Sequence, residues 1–263
     1  MDLNIEGKVF MVAASSKGLG FGIARELAAN GAVVCIASRT KNDIEKSAEK
    51  LRNETGSAIH ALVFDAADPV SIKNWISEVE NAFERIDGLL INAGGPPPGT
   101  FDDFSDDDWH TAFNLTLMSA VRLIRGVLPL IRKAGGGSVL TITSMAVKEP
   151  IHNLLLSNVF RSGVTSLVKS LSNELASENI RVNNLMPGRI DTDRLEDLDR
   201  SNSEKTNMPV KEIRQQNEKK IPLNRYGTIS EFGKAGAFLL SPAASYITGV
   251  SLAVDGGTMK TVW

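Results

Sequence analysis

Short β-type apolar runs recur along this chain at nearly even spacing, each followed by a longer stretch with helical periodicity, and few architectures accept such a pattern. Lys8–Ala14, Val33–Ser38, Ala58–Asp65, Gly88–Asn92, Ser138–Thr143, Arg181–Met186 and Ser251–Val254 read as strands, with amphipathic helices between most of them. Strands joined by helical crossovers lie parallel in one sheet, and right-handed crossovers cover both faces of it. The expectation is a doubly wound α/β fold of the Rossmann type, a three-layer α/β/α single domain over residues 1–263. With 42% hydrophobic residues the chain can fill a core of that size. One segment breaks the rhythm. Residues 191–220 are charged and hold two helical pieces around Met208-Pro209, which reads as a lid over a site or a disordered loop.

The formal net charge of -2 offers no electrostatic case for nucleic acid or an anionic membrane surface. The N-terminal MDLNIEGKVFMVAA reads as neither a signal peptide nor a membrane span. The lone cysteine, Cys35, sits in an apolar run and reads as a buried inert thiol, in keeping with a reducing, cytoplasmic setting. The acidic run Asp102–Asp108 reads as a solvated loop and helix N-terminus, with no His or Cys pattern that would make it a metal site.

Chemistry first shows between the first strand and a helix beginning near Phe21, where Ser15, Ser16, Lys17, Gly18, Leu19 and Gly20 follow Ala13-Ala14. Glycines at a strand-to-helix turn let the backbone approach a pyrophosphate, which the N–H groups of the helix start then bind. The second strand ends in Ser38-Arg39, without the acidic residue that would hold the ribose hydroxyls of NAD. Arg39 together with Lys17 can instead pair with the extra 2′-phosphate of NADP(H), although both also read as plain surface cations.

These features, with Asn92-Ala93-Gly94, Ile180-Arg181-Val182-Asn183, Pro187-Gly188, Ile247-Thr248-Gly249 and Val254-Asp255-Gly256-Gly257, resemble the short-chain dehydrogenase/reductase family almost end to end, and within it most of all the 3-oxoacyl-[acyl-carrier-protein] reductase branch. The resemblance implies a dinucleotide site in which Asp65 and Ala66 lie near the adenine. Asn92, Ala93 and Gly94 would line the cleft, and Pro187, Gly188, Ile190 and Thr192 would approach the nicotinamide and phosphates. It also implies a dimer or tetramer built on helices at about 107–132 and 157–177, whose apolar residues Phe113, Leu117, Val121, Val159, Val164 and Leu171 occupy more than one face.

The family's catalytic Asn, Ser, Tyr and Lys map onto Thr116, Ser144, Ser157 and Arg161, with Asn114 replacing Thr116 if the helix register slips by two. Ser144 alone agrees securely, and the first glycine of the turn is replaced by Ala14. An aliphatic hydroxyl is about five units less acidic than the family's phenol, roughly 7 kcal/mol of proton-transfer driving force. Ser157 is therefore a poor direct acid. Arg161 keeps the charge and can hold the nicotinamide ribose, yet its high pKa unsuits it to proton relay. Three readings follow. The chain is an NADPH-dependent reductase of a small carbonyl or acyl-thioester, with His152 as a substitute acid. Alternatively it is a conjugate reductase like the family's dienoyl-CoA reductases, whose tyrosine comes from elsewhere, or a non-catalytic NADP(H)-binding sensor or partner subunit.

Overall fold

Seven short apolar strands separated by helices leave the chain one economical arrangement, a parallel sheet with helices on both faces. The computed structural model describes residues 1–262. Its strands are β1 (Val9–Val12), β2 (Val33–Ser38), β3 (Ile59–Val63), β4 (Gly88–Ile91), β5 (Gly137–Ile142), β6 (Ile180–Pro187) and β7 (Ser251–Val254). All pairings are parallel, in the order β3-β2-β1-β4-β5-β6-β7. Each expected strand is present, with ends shifted by up to two residues.

The helices are α1 (Gly18–Ala29), α2 (Lys41–Thr55), α3 (Pro69–Ala82), α4 (Asp106–Phe113), α5 (Ser119–Lys133), α6 (Leu155–Glu174), α7 (Asp193–Thr206), α8 (Val210–Lys219) and α9 (Ile229–Leu240). On one face of the sheet, Ile72 and Trp75 of α3, Leu123 and Val127 of α5 and Val164 of α6 join one core. On the other, Ile23 and Leu27 of α1, Ile44 of α2 and Phe232 of α9 join a second. Each such side chain contributes about 1.5–3 kcal/mol by leaving water. Phe10 of β1 pairs with Val34 on one side and Gly88 on the other, so the order reverses at β1. The crevice of a doubly wound sheet opens there, beyond the carboxyl ends of the strands.

Three local features differ from, or sharpen, the sequence reading. Helix α1 begins at Gly18 rather than near Phe21. The 191–220 excursion is ordered as α7 and α8; Asn207 leaves α7 in a left-handed conformation (φ 53°), and Pro209, which cannot continue a helix, caps α8. The acidic run builds helix starts: the Asp103 and Asp108 carboxylates each accept the backbone N–H of the residue three before, Thr100 and Ser105.

Between α4 and α5 the helix runs through a π turn, Asn114–Met118. The whole stretch Asp106–Lys133 is long and apolar enough to cross a membrane. Here it lays Leu123, Val127 and Ile131 onto the core instead. Val164 is buried in that core, and Leu117 and Leu171, half-buried, pack against it. Phe113 and Val159 do remain exposed.

Candidate active site

The crevice is built first by the turn after β1. Ala14 adopts a left-handed conformation (φ 48°), a region that costs an alanine about 1–2 kcal/mol and that glycine enters freely. The backbone geometry of a glycine turn is thus kept at the position where the glycine itself is missing. Two ties hold it: Asn92 Nδ2 donates to the Ala14 carbonyl at 3.1 Å, and Ser15 Oγ donates to the Val12 carbonyl at 2.7 Å while accepting Ala37 N–H at 3.1 Å. Gly20 is required by contact, because a Cβ there would lie 2.6 Å from the Ala14 oxygen. Above Gly18 and Gly94 the space is open; a Cβ on Gly94 would meet nothing within 4 Å, and one on Gly18 only the Thr192 methyl at 3.7 Å.

Around this floor stand the other cofactor candidates. Among the described residues the buried Ser38 Oγ has no hydrogen-bond partner, and Arg39 beside it is exposed with no carboxylate within 4.0 Å. Ser16 and Leu19 frame the turn, the Ser16 carbonyl accepting the Ser47 hydroxyl at 2.6 Å. Asp65 turns its carboxylate onto Ala67 N–H at 2.9 Å and leads to buried Ala66. Ala93 follows Asn92 at the mouth of β4. Pro187 ends β6 opposite Val254, and Gly188 N–H donates to Val254 at 2.9 Å. Ile190 is buried and bridges to Gly227, and Thr192 caps α7 by accepting Leu195 N–H.

Lys17 differs from its expected role as a free phosphate ligand. Its Nζ lies 3.1 Å from the Asp193 carboxylate, at the start of α7. Both groups are about 70% exposed, so the pair is weak and open to exchange.

The catalytic candidates meet at the end of β5. Arg161 Nε donates to Ser157 Oγ at 3.1 Å, and Nη1 donates to the carbonyls of Ile142 and Thr143 at 3.1 and 2.9 Å. Burial, and then repulsion from the Arg194 guanidinium, pulls the Arg161 pKa down to about 10. Ser144, one residue beyond Thr143, accepts Ala146 N–H at 3.1 Å. Thr116 is buried in the π turn, against which α6 packs, and its hydroxyl has no partner among the described residues. Asn114, in the same turn, donates to the His110 carbonyl and accepts from Arg122 Nη2, whose Nη1 is buried without a partner among the described residues.

Two expectations do not come together. His152 is exposed on the loop before α6 and hydrogen-bonds to no described residue, so nothing aims it at the Ser144–Ser157 region. Neither tyrosine is free to replace the missing phenol: the Tyr226 hydroxyl donates to Asp199 at 2.8 Å, and Tyr246 is fully exposed. Conversely, Asp193 and Arg194 reach the crevice unannounced by any motif. Their only signal in the sequence is a pair of charges immediately after Thr192.

The family model described as enoyl-(acyl carrier protein) reductase matches residues 13–259. Dehydrogenase/reductase SDR family member 4 of Sus scrofa is 32% identical over 255 residues, 97% of this chain and 88% of that protein. The chain belongs to the short-chain dehydrogenase/reductase family. Among solved members, L-sorbose reductase of Gluconobacter frateurii, complexed with NADPH and L-sorbose, superposes with a TM-score of 0.96 at 30% identity, each chain covered fully. An NADPH-bound short-chain oxidoreductase of Pseudomonas aeruginosa PAO1, described as containing an atypical catalytic centre, gives a TM-score of 0.88 at 25% identity, covering 98% of this chain and 100% of that one. The dehydrogenase/reductase fold of this chain is thus the one seen in NADPH-bound relatives, and the Ser157–Arg161 pair lies beside the end of β5.

Proposed function

We propose that the chain is an NADPH-dependent reductase of a small carbonyl compound, working through an atypical serine–arginine pair. The observation that carries this reading is the Ser157–Arg161 hydrogen bond beside Ser144 at the mouth of the crevice. The residues present fit the dinucleotide: a left-handed turn, a helix start of free N–H groups, open space above Gly18 and Gly94, and the unpartnered Ser38 hydroxyl. Gly18 to Gly20 would hold its phosphates, Ser38 and Arg39 the adenosine end, and Arg161 the nicotinamide ribose. When bound, NADPH supplies hydride to the carbonyl carbon. NADPH in the two relatives supports the phosphorylated cofactor. Calorimetry is expected to give at least about tenfold tighter binding of NADPH than NADH, a difference of 1.4 kcal/mol.

The carbonyl oxygen must gain a proton as the carbon gains hydride. Ser157 accepts the Arg161 Nε–H, so its own hydroxyl hydrogen is free to point at that oxygen, and the nearby positive charge eases its donation. Ser144 lies where it can orient the carbonyl. Helices α7 and α8 act as a lid, latched to the turn by Lys17–Asp193. We place assembly as a dimer or tetramer on the exposed Phe113 and Val159 beside the Trp109–Phe160 aromatic pair, and the protein in the cytoplasm on its free, buried cysteine.

The test is a nicotinamide-oxidation screen over ketones and 3-oxoacyl thioesters with the parent and Ser157→Ala. Turnover by the parent that falls about tenfold or more in the variant supports the reading. NADPH binding without turnover on any substrate overturns it in favour of a non-catalytic dinucleotide binder.

A further inference from the structure

Two guanidinium groups converge at one point of the crevice with no counter-charge between them. A Cβ built on Gly95, just beyond β4, would lie 2.9 Å from Arg194 Nη2, 3.4 Å from Arg194 Nη1 and 3.6 Å from Arg161 Nη2. Among the described residues neither arginine has a carboxylate within 4.0 Å. The lid carboxylates on either side are engaged elsewhere, Asp193 with Lys17 at 3.1 Å and Asp191 with Arg214 at 2.8 Å. Like charges brought together in a partly desolvated cleft repel each other, and such an arrangement is relieved by an anion that both forks can grip.

We propose that Arg161 and Arg194 form a receptor for an anionic group, a carboxylate or phosphate, carried by the substrate. The inference rests on the reductase reading and names its substrate class. Two sources of the anion share this chemistry, the substrate and the dinucleotide's own phosphates. The order of the lid residues favours the first. Thr192 and Asp193 face the glycine turn, against Gly18 and Lys17, whereas Arg194 turns to the opposite wall at Gly95, where Arg161 and Ser157 stand. A carboxylate held there lies next to the reacting carbonyl, which describes a short oxo acid or an oxo compound bearing a phosphate. Arg161, bound to two main-chain carbonyls, is the fixed half of the receptor. Arg194, at the start of α7, is the half supplied by the 191–220 segment.

Arg194→Ala and Arg194→Lys test this in the intact protein. With NADPH saturating, KM is measured for acetoacetate and for methyl acetoacetate, and calorimetry follows malonate and inorganic phosphate as unreactive probes. The parent is expected to favour the acid over the ester, and Arg194→Ala to shift that ratio about tenfold or more toward the ester, Arg194→Lys shifting it less. Malonate or phosphate binding that depends on Arg194 supports the receptor even if no carbonyl is turned over, in which case only the reductase reading falls. Turnover of neutral ketones with no acid preference overturns the receptor and leaves the reductase standing. A loss of NADPH affinity in Arg194→Ala without any change toward the probes assigns the anion to the cofactor and overturns the substrate claim.

Discussion

Removing the Asp199 side chain should loosen the lid without unfolding the sheet. Asp199 is 3% exposed and stands between the two lid helices and the segment that follows them. Its Oδ2 accepts the Tyr226 hydroxyl at 2.8 Å, its Oδ1 accepts Asn217 Nδ2 at 3.0 Å, and Arg189 approaches at 3.6 Å. In Asp199→Ala two buried donors lose their acceptor. Each orphaned group costs about 1–3 kcal/mol, whereas Arg189 stays partly in water and adds little, so the lid loses about 3 kcal/mol. At 1.4 kcal/mol per factor of ten, amide exchange across 193–219 should accelerate about 100-fold. Hydrogen exchange read by mass spectrometry on peptides from this segment measures it, with β1 and β4 peptides as internal reference. Asp199→Asn keeps the shape and one acceptor, and the Tyr226 hydroxyl can turn to accept from the new amide, so its effect should stay within about tenfold. Lid exchange in Asp199→Ala within about threefold of the parent, or equal acceleration in the sheet, would refute the assignment of this cluster as the lid's local anchor.

Burial first, and the Asp199 hydrogen bond second, hold the Tyr226 phenol above its ordinary range. A folded-state pKa raised above the unfolded one gives stability that is full below about pH 10 and lost as pH rises through the higher value. Absorbance at the phenolate band should therefore show a late-ionising tyrosine that disappears in Tyr226→Phe. Burial pushes the Cys35 thiol up to about 12, so a thiol reagent should label none of the native protein and one group per chain after denaturation. Restoring the family motif with Ser157→Tyr and Arg161→Lys together should raise reduction of activated ketones above the parent, with each change alone doing much less. A folded, NADPH-binding double variant with no gain would show that the substrate side has moved away from the phenol-based arrangement.

The strands were readable because burial on both faces writes continuous apolar runs, and the glycine turn because Gly18 and Gly20 meet a local steric demand. Ser144, Ser157 and Arg161 were singled out by the family resemblance, and the fold puts Ser144 just past β5 and the other two on one face of α6. What escaped the sequence is long-range. Arg194 gains meaning only when the chain folds the 191–220 excursion back over Gly95, and Lys17 meets Asp193 across most of the chain. Similarly, Tyr226, Asn217 and Asp199 are separated polar residues whose mutual burial no periodicity announces. His152 looked useful by its position between Ser144 and Ser157, but a loop position says nothing about which way a ring faces. Thr116 and Asn114 both fall in the π turn, a departure from regular helix spacing that no sequence periodicity announces.

Arg161 also sets what a change at its own position or at 157 would disturb. Its Nη1 donates to the carbonyls of Ile142, the last residue of β5, and of Thr143 just beyond, so a lysine at 161 would have to reach the same two oxygens with a single ammonium. Placing tyrosine at 157 alone sets a ring into a buried position against the Arg161 Nε. The two positions are thus coupled through one hydrogen bond and a shared buried space, and changes at them should be non-additive in stability as well as in rate.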